Sequence, residues 1–286
     1  MLTPATLLLL LVAAALCPEV VTCFILPSGN NNGIAKTLVS PYPPATSSTT
    51  TRASSQPLSA ASALTQQTSD ELLSLLVEKA DNASNQSDAL DNSINRLVQN
   101  LISSRSLFNP STCIEGPLFA SVHFIGNTPL WEKIASGAVR NIKGQKYRED
   151  KTFTNYAEIL GENLNLRAIG VFSDIGPVQA VERDANPFSG FASLFANEQS
   201  SLLPTPYDYE ARVTGASISL WNKFELNLTI EGTGVVRVLY ADENLRIFLS
   251  PKDTNVTKGA GDWESEGLIV VQVRVGLVYD DWVDKL

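Results

Sequence analysis

A nucleophile needs a base beside it, and the single histidine of this 286-residue chain, His123, stands two positions from Ser121 in "FASVHFIG". A Ser/His pair also needs an acid to orient the ring and an oxyanion site, and no GxSxG turn accompanies it, so the residues favour a structural or surface histidine. Three cysteines and one histidine offer no C-x-x-C, H-x-x-x-H or calcium-loop spacing, so no metal site is expected. The acidic group Asp280, Asp281 and Asp284 reads as a solvated end, and Asp242 with Glu243 as a turn. "GTG" at Gly232 and "GAG" at Gly259 do not join a strand to a helix at the spacing a phosphate loop requires. Nothing in these residues demands catalysis or a cofactor, and what they supply instead is an apolar interior that could admit a small hydrophobic ligand.

The front of the chain is an address. Residues Ala5 to Leu16 read "ATLLLLLVAAAL", too few to cross a hydrocarbon core of about 30 Å but typical of a signal-peptide core. Thr22 and Cys23 are small enough for cleavage between Cys23 and Phe24. From Phe24 to Thr65 the chain holds Lys36 and Arg52 with no Asp or Glu and is dense in Ser, Thr, Pro and Ala. Such a segment cannot bury enough apolar surface to offset its ordering entropy, and acid-poor, Ser-rich stretches resemble organelle transit peptides. A signal peptide over 1–23 followed by a transit-like segment over 24–65, with Phe24 at the junction, resembles the two-part presequence of algae whose plastids lie within extra membranes. The alternative is a secreted protein with an O-glycosylated linker; the sequons at Asn82, Asn85, Asn227 and Asn255 would matter only there.

The formal net charge is −9; Lys36 and Arg52 against Glu19 give residues 1–65 a net +1, so the rest of the chain carries −10. That balance argues against nucleic acid, where Lys and Arg must replace counterions. Cys113 alone remains once Cys17 and Cys23 leave with the signal peptide, so no internal disulfide is expected.

Residues 66–108 should form two helices. Thr68 and Glu71 fit a capping box that opens "SDELLSLLVEKA", and Leu90, Ile94, Leu97, Val98, Leu101 and Ile102 share one helical face. The polar stretch Asp81 to Ser87 joins the two as a hairpin. From residue 109 to 286 the period becomes 2. Strands are predicted over Leu118–Ile125, Leu164–Phe172, Tyr207–Leu220 and Leu268–Arg274, with "FELNLTI", "VVRVLYA" and "NLRIFLS" between the last two. In "FELNLTI", Phe224, Leu226, Leu228 and Ile230 should be buried while their neighbours face water, with Gly232 and Gly234 making the next turn. The apolar phase slips by one residue at Gly215, which predicts a bulge there. Antiparallel strands connected in chain order suit a lipocalin-like β-barrel able to admit a small hydrophobic ligand, with a sandwich as the alternative. Residues Gly176 to Pro206 break the alternation, and Phe188, Phe191 and Phe195 there either close one end of the barrel or touch lipid.

The stretch "GTGVVRVLYADENLRIFLS", followed after a gap by "EGLIVVQVR", resembles the end of the plastid lipid-associated proteins, the PAP/fibrillin family. A strand, an acidic turn, a Leu-Arg-Ile step and a last apolar strand occur there in the same order, and the helical Glu71 to Ile102 region running through Asn109 and Pro110 into a first strand is similar as well. The first strand lacks the tryptophan and Tyr-Thr pair often seen there, and Pro251 to Glu266 replaces a short link. The resemblance implies a non-enzymatic plastid protein at thylakoids or plastoglobules that binds or organises lipids, isoprenoids or carotenoids. The binding residues would be Phe224, Leu226, Leu228 and Ile230 or Phe188, Phe191 and Phe195. The rivals are an assembly factor for thylakoid proteins with a filled barrel, an enzyme using Arg246 or His123, and a secreted carrier.

Overall fold

The computed structural model describes residues 60–82, 87–126, 142–158, 161, 163–178, 202–221, 223–251 and 267–279. The presequence cleavage positions Cys23 and Phe24, and Phe188, Phe191 and Phe195, lie outside the described residues.

Helix α1 (Ala60–Asp81) opens upstream of Thr68, whose Oγ1 donates back to the Leu64 carbonyl at 2.9 Å from inside the helix. The capping-box expectation is therefore wrong, and a boundary at residue 65 falls within a helix. Ala, Leu and Gln between Ala60 and Gln67 favour helix by propensity, which outweighs their shortage of charge. Helix α2 (Asp88–Ser103) places Asp88 and Asp91 in its first turn, where the helix dipole favours anions. Its buried stripe of Ile94, Leu97, Val98, Leu101 and Ile102, with Leu90 packed alongside, matches the spacing in the sequence.

There follow β1 (Leu107–Phe108), the short helix α3 (Pro110–Cys113), β2 (Leu118–Ile125), β3 (Lys143–Tyr147), β4 (Thr152–Glu158), β5 (Leu164–Pro177), β6 (Leu203–Pro204) and β7 (Tyr207–Leu220). The last four strands are β8 (Phe224–Leu228), β9 (Gly232–Ala241), β10 (Leu245–Pro251) and β11 (Gly267–Arg274). Asn109 caps α3 by accepting from the Ser111 amide at 3.1 Å, and β1 pairs with β6. The other nine strands form one antiparallel sheet in the order β5-β4-β3-β2-β11-β10-β9-β7-β8. Pairing of β5 with β7 from Leu164↔Leu220 to Pro177↔Tyr207 closes that sheet into a ring, so the chain is mainly β with one sheet returning on itself.

Both faces of β10 are buried. Leu245, Ile247 and Leu249 join Leu72, Leu76, Ile94 and Leu101 of the helices in one core, while Phe248 points into the ring with Tyr147, Phe153, Phe172 and Tyr209. Each large side chain so buried contributes about 2 kcal/mol. Two-sided burial explains why the sequence of β9 to β11 is nearly continuous in apolar residues rather than alternating.

The predicted bulge is present. Ile169 pairs with Gly215 and Gly170 with Val213, leaving Thr214 as the extra residue, and the buried set passes from Tyr209, Ala211 and Val213 to Ile218. Gly232 and Gly234 are not a turn; both lie in β9, which pairs with the Tyr207–Val213 half of β7. Strand β8 pairs with the other half, Ala216–Leu220, and so extends past the closed part of the ring. That position overturns the expected burial of "FELNLTI". Phe224 is 66 % and Leu226 47 % exposed because β8 runs beyond the segment where β9 and β10 complete the wall.

Candidate functional site

Among the described residues, the hairpin of β7 and β8 gathers three exposed large apolar side chains, Trp221, Phe224 and Leu226, on neighbouring positions. Leu220 pairs with Phe224 and Ile218 with Leu226, so Phe224 and Leu226 lie on the same face as the inward residues of β7. Trp221, in the turn, is 56 % exposed and takes φ +51°. A bulky side chain in the left-handed region costs roughly 1–2 kcal/mol where glycine would cost nothing. Its amide is fixed by donation to the Asn163 carbonyl at 2.7 Å, and Lys223 N donates to the Leu220 carbonyl at 3.0 Å across the turn. Strain and exposure thus coincide on one aromatic residue, a combination that folding does not reward. Of the residues expected to bind, Phe224 and Leu226 stand in this patch, Leu228 is half-buried, and Ile230 packs back toward the ring interior. Trp221 was missed by sequence reasoning. The signal was a tryptophan between two strands in "LWNKF", where turn-forming residues are the rule.

The ring interior holds its own side chains. Tyr147 meets Phe172 edge-on at 5.0 Å and Phe248 at 6.2 Å, and Phe172 meets Tyr209 at 5.8 Å. Arg246 is fully buried among them with its guanidinium 3.8 Å above the Phe119 ring, a cation–π contact, and it donates to the carbonyls of Ile114 and Gln145 at 3.3 Å. Burial pulls its pKa down to about 9 and pushes that of Tyr147 up to about 12. Next to this aromatic layer, Gln272 donates to Ser121 Oγ at 3.1 Å and to Gln145 Oε1 at 3.0 Å.

His123 belongs to the contact between helices and sheet. Lys79 Nζ lies 2.7 Å from its Nδ1, and because an ammonium only donates, Nδ1 must accept and Nε2–H must donate to Asn95 Oδ1 at 2.8 Å. Lys79 also donates to Asp91 at 2.6 Å. Ser121 contacts Gln272 inside the ring while His123 faces the helices, since the register of β2 against β11 shifts between them. The two residues therefore cannot act as a pair.

Burial first, and Lys79 second, lower the His123 pKa to about 4, against an opposing pull from Asp91. An unfolded histidine titrates near 6.5, so between about pH 6.5 and 4 the unfolded chain binds a proton that the folded chain refuses. The stabilisation is complete above that window and falls by about 3 kcal/mol as pH drops through it. Urea unfolding at stepped pH should show this slope, and His123→Gln should flatten it.

Among the described residues no helix is long and apolar enough to cross a membrane, and no group of three or more His, Cys, Asp or Glu is placed to hold a metal ion. The chain matches no protein-family model, no curated protein and no solved structure.

Proposed function

We propose that this protein is a non-enzymatic plastid lipid-associated protein that binds and organises lipid at thylakoid or plastoglobule surfaces, reached through the endoplasmic reticulum. The ring is read as a lipocalin-like barrel, but lipid is met by its outside and not by its interior. The observation that carries this reading is the strained, exposed Trp221 beside exposed Phe224 and Leu226 on a hairpin that extends past the ring wall. Aromatic and aliphatic side chains on a projecting tip suit the boundary between head groups and acyl chains, where indole in particular prefers to sit. Isoprenoids and carotenoids enter as components of that surface. The family resemblance in the C-terminal strands and the two-part presequence support the plastid setting.

The aromatic packing inside the ring favours one second reading, a scaffold that docks the same tip on a thylakoid protein. Flotation of the purified protein with galactolipid-rich vesicles separates them. Co-flotation without other protein supports the first reading; no flotation with vesicles alone, but flotation with native thylakoid membranes, supports the second.

A further inference from the structure

On the outer face of β4, β5 and β7, away from the hairpin tip, a groove of about 440 Å³ runs between Arg148 and Arg167. This is the size range of small-ligand sites. Its floor comes from Ile169, 49 % exposed, and Val171, 43 % exposed, whose side chains point outward because Gly170 and Phe172 take the inward positions of β5. Thr154 pairs with Ile169 and Thr152 with Val171, so each floor residue has a threonine across from it on β4. The bulge at Thr214 supplies the remaining wall, its hydroxyl directed to the Ile169 carbonyl at 3.4 Å.

The charge of this groove opposes that of the whole chain. In a protein of net charge −9, its lining contains two guanidinium groups and no carboxylate among the described residues. Arg148 is held in place by donation from Nη1 to Thr154 Oγ1 at 2.9 Å, one of the five donors of its guanidinium. Asp150, near Arg148, is engaged by the Thr152 amide at 3.0 Å and hydroxyl at 2.6 Å, bonds that hold its carboxyl below its usual pKa. Guanidinium forks match the paired oxygens of phosphate and sulfonate, and an aliphatic floor matches a hydrocarbon chain.

We infer that this groove binds a single anionic membrane lipid, with its head group between Arg148 and Arg167 and the start of its chain on Ile169 and Val171. The inference deepens the lipid-surface reading by assigning head-group selectivity to a second site, and it rests on that reading for its biological setting. Its test uses dispersed lipid and so does not depend on the hairpin binding vesicles.

The experiment titrates short-chain phosphatidylglycerol, below its micelle concentration, into the isotope-labelled full chain and follows backbone amide shifts. Short-chain phosphatidylcholine and inorganic phosphate serve as chain-without-anion and anion-without-chain probes. The expected result is saturable shifts at Arg148, Thr152 to Thr154 and Ile169 to Val171, with affinity for phosphatidylglycerol at least tenfold above either probe. Arg148→Gln and Arg167→Gln should each weaken phosphatidylglycerol at least fivefold, while Ile169→Ser weakens the lipid but not phosphate. Equal binding of phosphatidylcholine, equal binding of phosphate, or shifts confined to another surface would each overturn the assignment. Failure of vesicle flotation together with saturable groove binding would count against the hairpin reading alone.

Discussion

Gly170→Ala should prevent the ring from closing stably, with a loss of at least about 3 kcal/mol, the upper range for forced overpacking of a filled core. A methyl group built on Gly170 would stand 2.2 Å from the Arg212 carbonyl oxygen and 2.7 Å from two atoms of the Phe153 ring. The carbonyl is backbone within the β5–β7 seam, and Phe153 is 1 % exposed in the aromatic core, so neither can withdraw cheaply. The seam is where the sheet returns on itself, and separating it removes the ring's closure. Gly215→Ala supplies the contrast, since a methyl there meets only the Ile169 side chain at 3.6 and 3.8 Å, an ordinary contact. Thermal unfolding of the two variants should differ sharply although both glycines lie at the same bulge. Similar midpoints would contradict the packing described for the seam.

Trp221→Gly separates folding from lipid contact. Glycine relieves the left-handed strain at φ +51°, so stability should hold or rise by up to about 1 kcal/mol, the lower end of that strain. A tryptophan that served the core would show the opposite sign. Removing its apolar surface, and adding Phe224→Glu, should lower affinity for galactolipid vesicles by about two orders of magnitude. The estimate follows from forfeiting about 1.5 kcal/mol of burial at each of two half-exposed side chains. Unchanged vesicle affinity in the double variant would exclude the hairpin as the lipid contact.

Much of the fold could be read from the residues because burial on one face leaves a period. Strands β2 and β7 end where alternation ends, and the slip at Gly215 marks the bulge because the buried face changes parity there. Strands β3 and β4 escaped notice because polar Gln145 and Asn155 occupy inward positions beside Tyr147 and Phe153, so alternation of apolar and polar residues is lost. Strand β8 misled for the opposite reason. Its alternation is clean, but a period reports which residues share a face and not whether anything covers that face. The same limit hid the site. Trp221 and the Arg148–Arg167 groove depend on a backbone dihedral and on pairing between β4 and β5, neither of which a linear pattern records.

The proposal that the β7–β8 tip, and not the ring interior, meets lipid requires Trp221 to enter the bilayer. Its most direct test is quenching of Trp221 fluorescence by vesicles containing brominated lipids. The signal of Trp221 is isolated from the other three tryptophans by subtracting the spectrum of Trp221→Phe. A blue-shifted Trp221 component, quenched most strongly by bromine just below the head groups, is the expected result. Vesicle binding with a Trp221 component neither shifted nor quenched would contradict the proposal.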